Sequence, residues 1–455
     1  RLVGSEMCIR DSSYKGRYTV NGTARYEGTN RMGKSRSARW LPTWNVSGAW
    51  NAHEEKFFSN LTSVLSHFTL KASYSLTADR GPADVTNSQA IITSYSPYRP
   101  FTSIQESGLY IKELENSELT YEKKHELNIG ADMGFLNNRI NLAVDWYKRN
   151  NYDLIGIVNT QGAGGQILKY ANIASMKSHG IEFTLSTKNI KTKDFNWNTD
   201  FIFSNAKNEV TDLKQNANVM ELISGNGFAK QGYPVRGLFS IPFVGLDKDG
   251  IPVIINEKGE ATSTDINFQE RQNTGFLKYE GPTDPTITGS LGNMFSYKGF
   301  RLNLFITYSF GNVIRLNPVF KAYYSDLTAM TREFKNRWTL PGDEAKTNVP
   351  AILSKRMYDS NEDLKYAYNA YNYSTERIAK GDFIRLKEIS LAYDFPKAWI
   401  NPLKLTDLSL KVQATNLFLI YADDKLNGQD PEFFNAGGVA SPVPRQFTIT
   451  LRLGL

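Results

Sequence analysis

The chain has 455 residues and a formal net charge of +7, with 40% hydrophobic residues, 13% aromatic residues and one cysteine, Cys8. No segment approaches the roughly 20 consecutive apolar residues of a membrane-spanning helix, which excludes a helical membrane protein, and a single cysteine excludes an intrachain disulfide. The basic residues are scattered among acids, which disfavours nucleic-acid binding. The composition does not exclude a transmembrane β-barrel, because only alternate residues of its strands face lipid.

The beginning of the chain does not resemble the rest. The string RLVGSEMCIRDS at positions 1–12 has no helical or strand period, does not begin with methionine and contains the cysteine. It is similar to translated adapter sequence, so we expect residues 1–13 to be non-native and residues 14–455 to be the natural part of the chain. The natural N-terminus is then expected upstream.

From residue 17 onward the chain repeats segments of about ten residues in which apolar and polar residues alternate. In the clearest example, one face of the segment 301–310 carries Leu302, Leu304, Ile306, Tyr308 and Phe310. Such alternation indicates a β-strand, because a helix would spread these residues around its surface. About twelve strands are predicted, at 17–26, 41–51, 67–77, 120–133, 139–149, 178–188, 195–205, 285–297, 300–310, 382–394, 406–418 and 444–455.

The connections between these strands alternate in length. Short connections are 135–138, 189–194 and 298–299, and those of middle length, with room for a helical turn, are 52–66 and 395–405. Long connections are 27–40, 78–119, 150–177, 206–284, 311–381 and 419–443. Short turns on one side and long loops on the other are typical of outer-membrane barrels, so an all-β, antiparallel transmembrane barrel with long extracellular loops is predicted.

Two of the long loops contain predicted structure of their own. In loop 206–284, Asp249-Gly250 is a turn signal between the apolar segments 243–246 and 251–255, which predicts a hairpin. In loop 311–381, the segment 327–338 has a helix-like pattern. Loops of this length are usually functional or disordered, so both are expected near the mouth of a barrel.

No catalytic residue, cofactor site or metal site is predicted. The string GAGG at 162–165 neither follows a buried strand nor opens an apolar helix, so a flexible loop is favoured over a phosphate loop. The string DKDG at 247–250 resembles the start of a calcium loop, but the glutamate required at its end is absent and a plain turn is favoured. The four histidines are far apart in sequence.

Aromatic residues in loop 311–381 are the candidate contacts to a substrate or to a lid. These candidates are Tyr323, Tyr324, Trp338, Tyr371 and Tyr373. Aromatic rings beside polar neighbours can stack on sugars or line the mouth of a binding site. The alternative, which is favoured, is that they form the core of the loop itself, because a long ordered loop must bury apolar side chains.

Several short strings, in a characteristic order, resemble the SusC/RagA family of TonB-dependent transporters. They are YEG at 26–28, RWLP at 39–42, VSGAW at 46–50, QGYP at 231–234, GLD at 245–247, RWTLPGD at 337–343, FIRLKEISL at 383–391, TNLF at 415–418, DPE at 430–432 and PVPR at 442–445. Together they extend over nearly the whole chain from residue 17.

The resemblance implies the C-terminal part of a barrel of about 22 strands whose lumen holds an N-terminal plug. It implies uptake of an oligosaccharide or peptide nutrient across the outer membrane, with a SusD-like lipoprotein and TonB as partners. A siderophore-type receptor and a passive porin are alternatives that the upstream sequence would discriminate. A secreted carbohydrate-binding β protein or hydrolase is a further alternative, disfavoured because the repeated apolar strand faces have no second sheet to cover them.

Overall fold

The computed structural model describes residues 2–30, 32–81, 89–98, 106–160, 162, 168–321, 330–434 and 443–454. The chain divides into two compact units, one formed by residues 1–182 with 207–215 and the other by residues 183–206 with 216–455. Among the described residues, no helix combines the length and the apolar character needed to cross a membrane.

The first unit is a sheet of long antiparallel strands. Its strands are β1 (Leu2–Tyr14), β2 (Tyr18–Thr29), β3 (Trp40–Asn51), β4 (Leu65–Asp79), β5 (Ile91–Tyr95), β6 (Gly108–Glu113), β7 (Glu122–Phe135) and β8 (Ile140–Asn159), with parts of β9 (Leu168–Lys191) and β10 (Phe195–Leu213). The order in the sheet is β1-β2-β3-β4-β7-β8-β9, and β5 pairs with β6 in a separate hairpin. Its helix is α1 (Arg36–Arg39), and short 3₁₀ helices cover Ala52–Glu54 and Lys56–Asn60.

Tight turns join β1 to β2 and β7 to β8 at one end of the sheet. In the turn between β7 and β8, Leu136, Asn137 and Asn138 have φ angles of 51°, 57° and 57°. Asparagine tolerates this left-handed region better than most residues, so the sequence suits the turn. At the other end, Met32 and Leu119 are fully buried in a small core, and the N–H of Gly33 donates to the carbonyl of Leu119 at 2.8 Å.

The second unit contains a sheet with the order β9-β10-β16-β17-β20-β21-β22. Its strands beyond β10 are β11 (Gly237–Ser240), β12 (Phe243–Leu246), β13 (Pro252–Ile255), β14 (Ala261–Thr262), β15 (Lys278–Pro282), β16 (Ile287–Tyr297), β17 (Phe300–Phe310), β18 (Val313–Arg315), β19 (Ile378–Lys380), β20 (Phe383–Asp394), β21 (Asp407–Ala422) and β22 (Gln446–Gly454). Its helices are α2 (Val219–Ile223), α3 (Lys355–Ser360), α4 (Leu364–Asn372) and α5 (Lys397–Ile400). Short 3₁₀ helices cover Arg332–Asn336, Asp343–Ala345, Thr375–Arg377, Asn401–Leu403, Asp424–Leu426 and Pro431–Phe433.

The long connections of the second unit fold together into what we call the loop body, residues 216–284, 311–321, 330–381 and 423–434. Its core contains Leu222 and Ile223 of α2, Phe239 of β11 and Ala370 of α4, all almost fully buried. A capping box starts α2, because the Oδ1 of Asn218 accepts from the N–H of Glu221 at 2.7 Å, whose carboxylate accepts from the N–H of Asn218 at 2.8 Å. The loop body is therefore a packed structure with its own core.

Each strand predicted from the sequence is confirmed, as are the hairpin at Asp249-Gly250 and the helical turns in 52–66 and 395–405. Strands β8, β9 and β10 extend well beyond their predicted ends. Residues 332–336 form a 3₁₀ helix inside the helix-like segment, and residues 327–329 lie outside the described part of the chain. The structure also contains β1, where no alternation predicts a strand, paired with β2 along its length. That residues 1–13 are non-native stays a prediction.

Candidate functional site

In the second unit, large apolar side chains stand opposite one another on one face of the sheet. Between β21 and β22, Leu410 faces Leu451 and Val412 faces Ile449, and between β20 and β21, Leu391 faces Val412. All five side chains are exposed, and that of Ile449 is 74% exposed. This apolar strand face is formed by every second residue, as the sequence predicts.

The opposite face of the same strands is polar. The facing pairs on it are Ser409 with Arg452, Lys411 with Thr450, and Gln413 with Thr448. Exposed apolar surface costs roughly 25 cal/mol per Å² in water, and this cost disappears in lipid. The two faces of the sheet therefore suit two different solvents, lipid on one side and water on the other.

The first unit has the same division. On one face, Val46 of β3 stands opposite Tyr74 of β4, and Ile129 of β7 stands opposite Trp146 of β8. These four side chains are exposed as well. An exposed apolar face on each unit defines the class of protein as a membrane barrel whose strands contact lipid.

The described aromatic candidates lie within the packing of the loop body. Tyr371 is only 1% exposed and packs edge-on against Phe243 with ring centroids 5.4 Å apart, and burial raises the pKa of Tyr371. Tyr373 is half-buried beside the core of the loop body, and the guanidinium carbon of Arg315 lies 6.0 Å from its ring centroid. These positions favour the interpretation of Tyr371 and Tyr373 as loop core. Tyr323 and Tyr324 lie outside the described residues.

Trp338 belongs to the RWTLPGD string, whose polar groups bond to one another. Its indole N–H donates to the carboxylate of Glu344 at 2.9 Å, and its ring packs on Gly250, where a Cβ would lie 2.5 Å from the ring. The carboxylate of Asp343 accepts from the N–H groups of Thr339 and Leu340 at 3.2 and 3.0 Å. The string thus forms a turn that packs against the Asp249-Gly250 hairpin.

Arg315 joins the two longest loops, and sequence reasoning did not identify it. Its guanidinium donates to the carbonyls of Phe239 at 2.6 Å and Ser374 at 2.9 Å and to the hydroxyl of Ser240 at 3.1 Å. Burial lowers the pKa of Arg315 to about 9, so the side chain remains charged at neutral pH. A charged residue inside the apolar run Val313–Leu316 is the sequence signal that could have identified it.

A buried ion pair explains the DPE string. The guanidinium of Arg385 at the start of β20 donates to both carboxylate oxygens of Asp430 at 2.5 and 2.7 Å, and the two side chains are 6% and 7% exposed. Glu432 lies 3.3 Å from the same guanidinium. This contact fastens the loop between β21 and β22 to the start of β20.

The candidate metal-ligating residues do not converge. The Oδ1 of Asp247 accepts from the N–H groups of Asp249 and Ile251, both at 2.9 Å, as in a plain turn. His53 and His67, distant in sequence, have ring centroids 4.1 Å apart in the first unit. Within the described part of the chain, no three histidine, cysteine or acidic side chains are grouped to hold a metal ion.

The comparison with known proteins names the family. Residues 10–417 match the family model described as TonB dependent receptor-like, beta-barrel, and the chain belongs to this family of outer-membrane transporters. The chain is 26% identical to the TonB-dependent receptor SusC of Bacteroides thetaiotaomicron over 96% of its own length and 42% of that protein. It is 25% identical to the TonB-dependent receptor P3 of Formosa agariphila, over 92% of its own length and 41% of that protein.

A solved structure shows the same fold. The chain superposes on a chain of the RagAB peptide transporter with a TM-score of 0.78 at 23% identity, over 99% of its own length and 47% of that chain. The fold is thus the barrel fold of TonB-dependent receptors, and the chain spans less than half the length of the relatives it matches.

Proposed function

We propose that the chain is the C-terminal barrel portion of a TonB-dependent importer that takes up an oligosaccharide or peptide nutrient across the outer membrane. The observation that carries the proposal is the strand pattern, with an exposed apolar face for lipid and a polar face for a wet lumen. The family match and the likeness to the RagAB peptide transporter support the same conclusion.

The relatives are more than twice as long as the part that this chain matches, which leaves room for further domains of the transporter. We propose that the plug domain, the site that engages TonB and about ten further strands belong to the unmatched part, as residues 14–455 supply about twelve. A SusD-like lipoprotein is the proposed lid. We propose that it binds to the loop body, because the loop body is a packed structure formed by the long connections between strands. Tyr323 and Tyr324 remain proposed contacts to the substrate or the lid.

Uptake by cells tests the proposal. Cells that produce the full-length protein and its lipoprotein partner are given fluorescent pools of oligosaccharides and of peptides, with or without a functional tonB gene. We expect uptake of one pool, lost on deletion of the transporter gene and equally lost on deletion of tonB. Uptake that persists without TonB would contradict the proposal and favour a passive pore.

A further inference from the structure

A cavity of about 730 Å³ opens in the loop body. Its lining comes from Leu316 and residues 333–349 and 371–377 of the connection between β17 and β20, and from residues 424–427 of the connection between β21 and β22. The volume lies within the roughly 300–1,000 Å³ of pockets that bind small molecules and short segments of larger ligands. No residue of the predicted site except Tyr371 lies among the described residues that line it.

Part of the charge around the cavity is already neutralised. Arg377 is 3% exposed, pairs with Glu333 and donates to the carbonyl of Asn317 at 2.7 Å. The amide of Asn427 donates to the second carboxylate oxygen of Glu333 at 3.1 Å. These groups form a fixed wall, because each has partners within the protein.

The lining also contains Asp343 and Lys346, which pair with each other at 3.4 Å, and four charged side chains that have no charged partner among the described residues. Among the described residues, Arg337 and Lys425 form no ion pair with a carboxylate, and Glu376 and Asp424 form none with a cation. The contacts they do make are with neutral groups. The carboxylate of Glu376 accepts from the Asn348 amide at 3.0 Å, and the Lys425 ammonium donates to a backbone carbonyl at 3.4 Å. The cavity therefore presents available charges of both signs.

The described part of the lining offers no exposed aromatic face on which a neutral sugar could stack. Tyr371 is the aromatic residue among the described lining residues, and its 1% exposure leaves no ring face for a ligand. A neutral oligosaccharide would leave the available cations and carboxylates without charged partners. A peptide with free ends provides an ammonium and a carboxylate, and both form charge-assisted hydrogen bonds.

We infer that this cavity binds an oligopeptide through its charged groups, so that the nutrient is a peptide rather than a neutral oligosaccharide. The inference rests on the proposed function, which left both substrate classes open. Glu376 binds the ammonium end of the peptide and Lys425 binds its carboxylate end, while Asp424 and Arg337 recognise charged side chains of the peptide. Because the charges are balanced, a strongly anionic polymer is not favoured.

Binding to the purified full-length transporter with its lipoprotein tests the inference. The probes are synthetic peptides with neutral side chains and free ends, the same peptides with acetylated and amidated ends, and a pool of neutral oligosaccharides. We expect the free-ended peptides to bind about tenfold more tightly than the blocked ones, the sum of two half-exposed ion pairs, and the oligosaccharides to bind weakly. Equal binding of free and blocked peptides would overturn the inference, as would preferential binding of oligosaccharides.

Single substitutions locate the effect. Glu376→Gln and Lys425→Gln should each reduce the preference for free ends to about threefold, since each removes one of the two charged contacts. The matched control is Lys258→Gln, which breaks the exposed pair between Lys258 and Asp265 elsewhere in the loop body and should leave the preference unchanged. Heat-modifiable mobility on gels confirms that each variant folds, and an unchanged preference in folded Glu376→Gln and Lys425→Gln would refute the assignment.

The outcomes separate this inference from the proposed function. TonB-dependent uptake of oligosaccharides would refute the peptide assignment and leave the importer intact. Uptake that is independent of TonB would refute the proposed importer function. The comparison of free with blocked peptides would then still test whether the cavity binds peptides.

Discussion

Replacement of Asp430 by asparagine tests the buried ion pair that fastens the loop between β21 and β22. The change keeps the shape of the side chain and removes its charge, so the guanidinium of Arg385 loses its two short charged contacts. We expect the loop to open far more often, while the strands of the sheet remain paired.

The magnitude follows from burial. Loss of one partner of a buried ion pair costs about 3–5 kcal/mol. Glu432 lies 3.3 Å from Arg385 but is 42% exposed, so it compensates only in part. A net cost of about 2–3 kcal/mol corresponds to a roughly 30- to 150-fold larger opening constant of the loop.

Hydrogen exchange of the backbone amides of residues 423–434 measures this constant in the full-length protein held in a bilayer. The matched control is Asp265→Asn, because Asp265 pairs with Lys258 at 2.6 Å while both side chains are more than half exposed. That change should alter local exchange less than about fivefold. Similar small effects of Asp430→Asn and Asp265→Asn would refute the reasoning.

Three further changes address the loop body. Arg315→Met leaves buried hydrogen-bond acceptors unsatisfied, at a cost of about 1–3 kcal/mol each. The amides of β11 and of residues 374–377 should therefore exchange much faster, while those of β16 and β17 exchange as before. Equal protection of these amides in wild type and variant would contradict this prediction. Gly250→Ala places a Cβ against the ring of Trp338, at a residue whose φ is 74°, and should destabilise the hairpin by about 1–3 kcal/mol. We expect this to change the tryptophan fluorescence. The control variant Gly259→Ala has open space around its Cβ and should leave the fluorescence unchanged. Hydrogen bonds from the N–H groups of Leu340 and Thr339 hold the pKa of Asp343 below its usual 3.8. The turn at 339–346 should therefore keep its full exchange protection above pH 3.8 and lose it as the pH falls through the lowered pKa, whereas Asp343→Asn should show no such step.

The strands could be predicted because lipid requires an apolar side chain at every second position. Strands β8, β9 and β10 continue beyond their predicted ends, into segments such as Asn150-Asn151 where no alternation remains. Backbone pairing does not depend on side-chain polarity, and where both faces of a strand are wet the sequence carries no period. Strand β1 likewise pairs with β2 through the backbone, without a period in its residue types that predicts a strand.

The loop body could be predicted only in part, because its contacts join residues distant in sequence. Arg315 bonds to Phe239 and Ser374, which are 76 and 59 residues away. The strings RWTLPGD and DPE carried the family resemblance, but the roles of Asp343 and Asp430 are visible only once their hydrogen bonds are known. Turn chemistry was the local exception, since Asp249-Gly250 predicts its hairpin from adjacent residues alone.

The most direct test of the account is the solvent that each strand face meets in the full-length protein. Spin labels are placed one at a time at positions 410, 411, 412, 449 and 450, and their collision rates with oxygen, which concentrates in lipid, and with a water-soluble nickel complex are compared. We expect labels that replace Leu410, Val412 and Ile449 to favour oxygen, and labels at Lys411 and Thr450 to favour nickel. Equal access of the nickel complex to both sets would contradict the lipid-facing barrel.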